Sequence, residues 1–143
     1  MNWEIYIVQG MELLFLGIAS YEDLKTREIS MKWFAIFGML AISCNLLWRY
    51  QSIWCVLAGI CVGSVFMIIS CLTKEAIGYG DSLGVLVLGI FAGGENLLNM
   101  VFWAGMLCGV YGLWMILRFK RSGKDTLPFF PFLFFGAMGG VFL

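Results

Sequence analysis

The chain has 143 residues, of which 62% are hydrophobic and 13% charged, and its mean hydropathy is +0.92. A soluble domain carries about 45–50% apolar and about 25% charged residues, so the composition predicts an integral membrane protein. Nine basic and nine acidic residues cancel, which gives no sign of a nucleic-acid partner. The absence of histidine excludes a Ser–His dyad and a His-Glu-x-x-His zinc site.

Charged residues divide the sequence into six apolar segments, each close to the roughly 17–25 residues that cross a bilayer. In chain order the segments are 5–21, 33–48, 52–72, 76–94, 96–117 and 127–143. The start of the chain lacks the basic region and cleavage site of a signal peptide, so the first segment is predicted to be a retained span. The sequence therefore predicts one transmembrane domain, residues 1–143, an all-α bundle of six transmembrane helices in the lipid bilayer.

Cysteines and glycines give two further expectations. The five cysteines lie in apolar runs and none forms a Cys-x-x-Cys pair, so we expect buried thiols and no metal site. Pairs of glycines four residues apart are predicted to pack helices closely, within the bundle in preference to between protomers. These pairs include Gly59/Gly63, Gly80/Gly84, Gly89/Gly93, Gly105/Gly109 and Gly136/Gly140.

The basic residues predict the orientation of the chain. They follow the first, third and fifth segments, and Arg49 is the exception on the other side. The grouped residues are Lys25, Arg27, Lys32, Lys74, Arg118, Lys120, Arg121 and Lys124. The positive-inside rule places this group in the cytoplasm. It predicts a multi-pass protein of the cell membrane with both termini outside.

Two aspartates are the candidate catalytic residues. Asp23 ends the first segment, and Asp81 lies at the start of the fourth, in Gly78-Tyr79-Gly80-Asp81. The alternation of spans places both at the cytoplasmic face, and an acid inside an apolar segment suggests a function. Two neighbouring aspartates share a proton, so one activates water while the other polarises the scissile carbonyl. The sequence predicts peptide hydrolysis by this pair without a cofactor.

The two glycines before Asp81 have a predicted supporting role. Gly78 and Gly80 lack side chains, so we expect the backbone there to be partly unwound. Unwound backbone at membrane depth is tolerated where protein or a water-filled cavity covers it. The same glycines would let a substrate backbone approach Asp81 closely.

Four motifs then resemble those of the type IV prepilin peptidases, in that family's order. Gly78-Tyr79-Gly80-Asp81 resembles the Gly-x-Gly-Asp signature of intramembrane aspartyl proteases, and Asp23 with Ile29 resembles Asp-x5-Ile-Pro. Lys74-Glu75-Ala76-Ile77 is similar to the family's lead-in to Gly-x-Gly-Asp. Leu127-Pro128-Phe129-Phe130-Pro131-Phe132-Leu133 is similar to its Pro-Phe-x-Pro-Phe-Leu stretch.

The chain departs from the family pattern at a few points. Ser30 stands where the family usually has proline, and Leu83 stands where a lysine often follows. The insertion with a Cys-x-x-Cys pair, found in larger members that also N-methylate their product, has no counterpart here. The chain therefore resembles the short, peptidase-only form, and the resemblance does not imply methylation.

The resemblance implies a substrate as well as a reaction. The partner would be a type IV pilin-like precursor, whose short basic leader is removed at the cytoplasmic membrane face by Asp23 and Asp81. Glu22 and Glu28 are candidates for meeting the basic leader, and solvation at the surface is the alternative for both.

One acid leaves a second interpretation open. Glu12 lies in the middle of the first segment, where it either hydrogen-bonds inside the bundle or faces a water path. Together with Asp81 it supports an alternative, a non-enzymatic multi-span protein such as a transporter or secretion-system assembly subunit. That alternative leaves the Asp23 spacing and the stretch from Leu127 to Leu133 unexplained.

Overall fold

The computed structural model describes residues 2–74, 78–120 and 127–142, and of residues 140–142 it describes the backbone. This part of the chain is all-helical. It contains five helices: α1 (Trp3–Thr26), α2 (Met31–Trp48), α3 (Ile53–Leu72), α4 (Tyr79–Phe119) and α5 (Phe130–Phe142). Of these, α2, α3 and α4 are long and apolar enough to cross a membrane.

The structure has five helices and not six separate ones, because the predicted segments 76–94 and 96–117 both fall within α4, whose two helical arms join directly at Gly93. The helix is bent at Gly93, whose φ of 77° and ψ of 171° are not helical. This backbone conformation is open to glycine and strained for other residues. Glu95, the predicted boundary between two spans, lies two residues after this bend. The predicted starts and ends at residues 76 and 143 lie outside the described residues.

The bend at Gly93 reverses the direction of α4. A Cβ atom at Gly84 would overlap the ring of Phe130, and the ring of Tyr111 lies 5.6 Å from that of Phe132. A straight helix would hold Gly84 and Tyr111 about 40 Å apart, yet their partners are neighbours on α5. The two arms of α4 therefore run antiparallel.

Glycines bring α3 and the first arm of α4 into backbone contact. A Cβ at Gly59 would overlap the backbone of Gly89, and a Cβ at Gly63 would lie 2.5 Å from the Cα of Leu86. This is the close helix packing that the glycine spacing predicted. The same spacing at Gly105/Gly109 has another outcome, because a Cβ at either position meets none of the described atoms within 4 Å.

Buried aromatic rings join α1, α2 and α5. Phe15 is fully buried, and its ring lies 5.1 Å from that of Phe37 and 6.1 Å from that of Phe34. Phe34 in turn contacts the ring of Phe130 at 6.4 Å. Fully burying a phenylalanine contributes about 1.5–3 kcal/mol when water is the reference. This cluster fixes the start of α5 against α1 and α2.

The bundle has two distinct ends. We call the end that holds Asp23, Asp81 and Phe130 the aspartate end, and the one that holds Tyr50, Gln51 and Gly93 the bend end. The grouped basic residues within the described ranges lie at or beside the aspartate end. They are Lys25, Arg27, Lys32, Lys74, Arg118 and Lys120, and Arg49 adjoins the bend end.

Candidate active site

Asp23 lies in the last turn of α1 and is 8% exposed. Its Oδ2 accepts a hydrogen bond of 3.3 Å from the backbone N–H of Phe130, the first residue of α5. Asp23 therefore caps a helix that follows it by more than a hundred residues. A helix N-terminus carries partial positive charge and unpaired N–H groups, so it stabilises a carboxylate.

The sequence around Phe130 explains why α5 begins at this point. Pro128 precedes the helix and Pro131 lies in its first turn, where a missing N–H costs no intrahelical hydrogen bond. The Phe130 ring is fully buried against Phe34, which fixes the position of its backbone. The predicted Pro-Phe-x-Pro-Phe-Leu resemblance thus falls on the segment that presents an N–H group to Asp23.

The surroundings of Asp23 shift the pKa of its carboxyl in two opposite directions. Burial raises the pKa of the carboxyl above its ordinary value. Hydrogen bonds from the N–H groups of Phe130 and Phe129, and the charge of Arg27, act to lower that pKa. Burial has the larger effect, so the neutral form of Asp23 persists to higher pH than that of a free aspartic acid.

Asp81 lies in the first turn of α4 and is partly exposed. Its charge and that of Asp23 are close enough to repel each other. The Phe130 ring contacts Gly84, one turn after Asp81, while the Phe130 N–H binds Asp23. The structure therefore brings the two predicted catalytic residues together at one end of the bundle, with Phe130 between their helices.

The two glycines before Asp81 differ in their surroundings. A Cβ at Gly78 would lie 3.2 Å from Oδ2 of Asp81, so the carboxylate folds back over this glycine. A Cβ at Gly80 would meet no described atom within 4 Å. The expected unwinding is limited to Gly78, the N-cap with φ −55° and ψ 138°, because Gly80 already lies inside α4.

Ser82 is a positioning residue that the sequence did not indicate. It is fully buried, and its hydroxyl donates to the carbonyl of Phe66 at 3.2 Å or to that of Gly78 at 3.3 Å. The first of these bonds ties the start of α4 to α3 next to Asp81. A serine beside the candidate aspartate in an apolar run was the available signal.

Glu22 and Glu28 lie beside the same surface hollow and differ in the contacts of their carboxylates. Glu22 accepts hydrogen bonds from the Ser30 backbone at 3.0 Å and from Nε1 of Trp33 at 2.9 Å, so both its oxygens hold the turn between α1 and α2. Glu28 is exposed. Both line a surface hollow of about 430 Å³ that also contains Tyr21 and Lys25.

Glu12 lies away from the two aspartates. It precedes Asp23 by three turns of α1, a distance of about 16 Å along the helix. Within residues 2–74, 78–120 and 127–142, no group of three or more acidic or cysteine side chains is arranged to hold a metal ion. The residues Glu75, Ala76 and Ile77 of the predicted lead-in lie outside the described part.

Comparison with known proteins gives a family match. The model of the type IV leader peptidase family matches residues 11–113, a range that includes Asp23 and Asp81. Two curated relatives are both named leader peptidase HopD, one from Salmonella typhimurium strain LT2 and one from Escherichia coli. They are 41% and 39% identical to the chain over 61 residues.

These relatives align over a limited part of their length. The aligned residues make up 42% of this chain and 39% of each relative. A search of the solved structures gives no match. Because the family match extends over more than half of its residues, the chain belongs to the type IV leader peptidase family.

Proposed function

We propose that the protein is a membrane-embedded aspartyl endopeptidase that removes the short basic leader of type IV prepilin-like precursors. The observation that carries this proposal is the meeting of Asp23 and Asp81 at one end of the bundle. Membership of the type IV leader peptidase family and the names of the two relatives support it. The three helices that are long and apolar enough for a span support a site in the membrane.

In the proposed mechanism the two carboxyl groups share one proton. The ionised carboxylate takes a proton from a water molecule, whose oxygen attacks the scissile carbonyl carbon. The neutral carboxyl donates a hydrogen bond to the developing oxyanion and then protonates the leaving amine. The N–H of Phe130 stabilises negative charge on Asp23. The pair titrates as a unit, so the two roles are not divided between Asp23 and Asp81.

The proposed orientation and substrate follow from charge. Basic residues gather beside the aspartate end, and the positive-inside rule assigns such an end to the cytoplasm. A basic leader would reach the site from that side. Glu28 lines the hollow beside α1 with its carboxylate exposed, so we assign it the role of meeting the leader. Gly80 offers an open surface for the substrate backbone next to Asp81.

Leader removal from a co-expressed pilin-like precursor, followed as a gel shift, tests the proposal. Asp23→Asn and Asp81→Asn should each lower the rate of cleavage by about 10²–10⁴-fold, the usual contribution of general acid–base catalysis. Asparagine keeps a hydrogen-bond acceptor, so the α5 cap survives in Asp23→Asn. Glu95→Gln is the matched control, because Glu95 is exposed and lies beside the bend. Processing at the parent rate by both aspartate variants would overturn the proposal.

A further inference from the structure

Glu12 is an acid that the proposed reaction does not use. It is 4% exposed, and its Oε1 has no hydrogen-bond partner within the described ranges. Burying a carboxyl oxygen without a partner is costly, and burying it as a charge is more so. The position therefore calls for a group that can donate to Glu12.

A cavity of about 550 Å³ borders Glu12 at the bend end. Its walls come from the first half of α1, the loop between α2 and α3, both arms of α4, and α5. The lining residues that matter here are Gln9, Glu12, Tyr50, Asn96, Asn99 and Trp103. Among all described residues of the lining, Glu12 is the one acidic side chain and none is basic.

Several polar donors near this cavity are already engaged. Tyr50 donates its hydroxyl to the carbonyl of Phe91 at 2.8 Å, and Nε2 of Gln51 donates to Ile90 at 2.8 Å. Nδ2 of Asn96 donates to the carbonyl of Ala92 at 3.1 Å. The side-chain amides of Gln9, Asn96 and Asn99 can both donate and accept, so the buried carboxyl of Glu12 is the lining group that decides the charge of a ligand.

The cavity walls also suit positive charge. The rings of Tyr50 and Trp103 line the cavity, and aromatic faces attract cations. Ca²⁺ and Mg²⁺ need a compact shell of about six or more oxygens, whereas Glu12 is the one carboxylate of the lining. A volume of about 550 Å³ instead falls in the range of roughly 300–1,000 Å³ typical of small-molecule sites. An organic group with positive charge and N–H donors therefore suits this lining.

We propose that the bend-end cavity binds a primary ammonium group, with Glu12 as its counter-ion and hydrogen-bond acceptor. The ammonium is presented either by a lipid headgroup, as in phosphatidylethanolamine, or by a free amine. This site is separate from Asp23 and Asp81, and its existence does not depend on the peptidase reaction.

Purified full-length protein and Glu12→Gln, which removes the charge and keeps the shape, provide the test. In the first arm, native mass spectrometry compares retention of phosphatidylethanolamine with that of phosphatidylglycerol carrying the same acyl chains. In the second arm, ethanolamine is titrated against thermal unfolding in the same detergent. We expect the parent to prefer phosphatidylethanolamine, or to bind ethanolamine, by roughly tenfold or more over Glu12→Gln.

The two arms distinguish a lipid headgroup from a free amine as the source of the ammonium group. A preference in the lipid arm identifies a headgroup site, and a shift in the ethanolamine arm alone identifies a free amine as the ligand. Equal retention of both lipids with no ethanolamine effect overturns the proposal, as does equal binding by Glu12→Gln. Trp103→Leu, a change at a half-exposed side chain, should weaken binding without disturbing the fold and serves if Glu12→Gln fails to fold. Asp81→Asn should bind the ammonium ligand like the parent.

Discussion

The aspartate end and the bend end both bury polar groups at helix junctions, and they use them differently. At the bend end, the reversal at Gly93 leaves the carbonyls of Ile90 and Phe91 to side-chain donors from Asn45, Tyr50 and Gln51. At the aspartate end, a carboxylate instead takes an N–H from the start of α5. One end satisfies backbone acceptors with neutral groups, and the other places two carboxyl groups within electrostatic range of each other.

The polar groups at the bend end thus stabilise the fold, whereas the carboxyl groups at the aspartate end are candidates for catalysis. Neutral donors paired with backbone carbonyls lower the free energy of the folded state and leave nothing to react. Two carboxyl groups in mutual range raise that free energy unless they share a proton. A protein bears such a cost where it serves a reaction, so variants at the two ends should separate stability from activity.

The largest effect is expected at Asp23, where two substitutions divide its two roles. Both Asp23→Asn and Asp23→Ala should lower the rate of leader cleavage by about 10²–10⁴-fold relative to the parent. Only alanine also removes the acceptor for the Phe130 N–H, at a cost of about 0.5–2 kcal/mol. Cleavage assays and thermal unfolding in detergent measure the two losses. Equal stability of the two variants would show that Asp23 does not cap α5.

The bend end should respond in stability and not in chemistry. Gly93→Ala forces a side chain into a backbone region that costs about 1–3 kcal/mol. Its Cβ would also lie 2.7 Å from Oε1 of Gln51. We expect a lower unfolding temperature with an unchanged cleavage rate per folded molecule. A variant that is as stable as the parent but does not cleave would break the distinction between the two ends.

Gly84→Ala should affect both properties, since it lies where the core meets the site. The new Cβ would overlap the buried ring of Phe130, and overpacking typically costs about 1–3 kcal/mol. Displacing Phe130 moves the N–H that binds Asp23, so cleavage should fall as well. Gly105→Ala is the control, because its Cβ meets no described atom within 4 Å. Full cleavage by Gly84→Ala would show that the Phe130 contact does not position Asp23.

The smallest change in stability is expected at Gly78 and Gly80. Gly78→Ala brings a Cβ to 3.2 Å from Oδ2 of Asp81, so that the carboxylate must shift and cleavage should fall. Gly80→Ala has room in the folded protein and adds up to about 1 kcal/mol of helix propensity. If substrate backbone approaches here, as proposed, Gly80→Ala should slow cleavage without lowering stability. Parent-like cleavage would remove Gly80 from the substrate path.

The sequence was sufficient for the helical class and for the shared position of the two aspartates. Asp23 and Asp81 could be placed at one end because charge clusters mark where apolar segments stop. The glycine spacing predicted close packing at Gly59, which contacts α4, yet it also predicted packing at Gly105 within the bundle. Spacing identifies a face of a helix and does not say whether another helix covers that face.

Two features of the structure had no adequate signal in the sequence. The direct join of the two arms of α4 had no signal because a reversal at Gly93 needs no loop residues. The contact of Asp23 with Phe130 was missed because the donor is a backbone N–H, which every residue except proline carries. The position of Pro131, just inside a helix start, was the indirect hint.

The reversal in α4 also constrains how the chain can cross a membrane. Because the two arms join directly at Gly93, the segment from Tyr79 to Phe119 would form a helical hairpin in a bilayer, with Gly93 at its tip. Both ends of such a hairpin face the same side, and that side also holds the contact between Phe130 and Asp23.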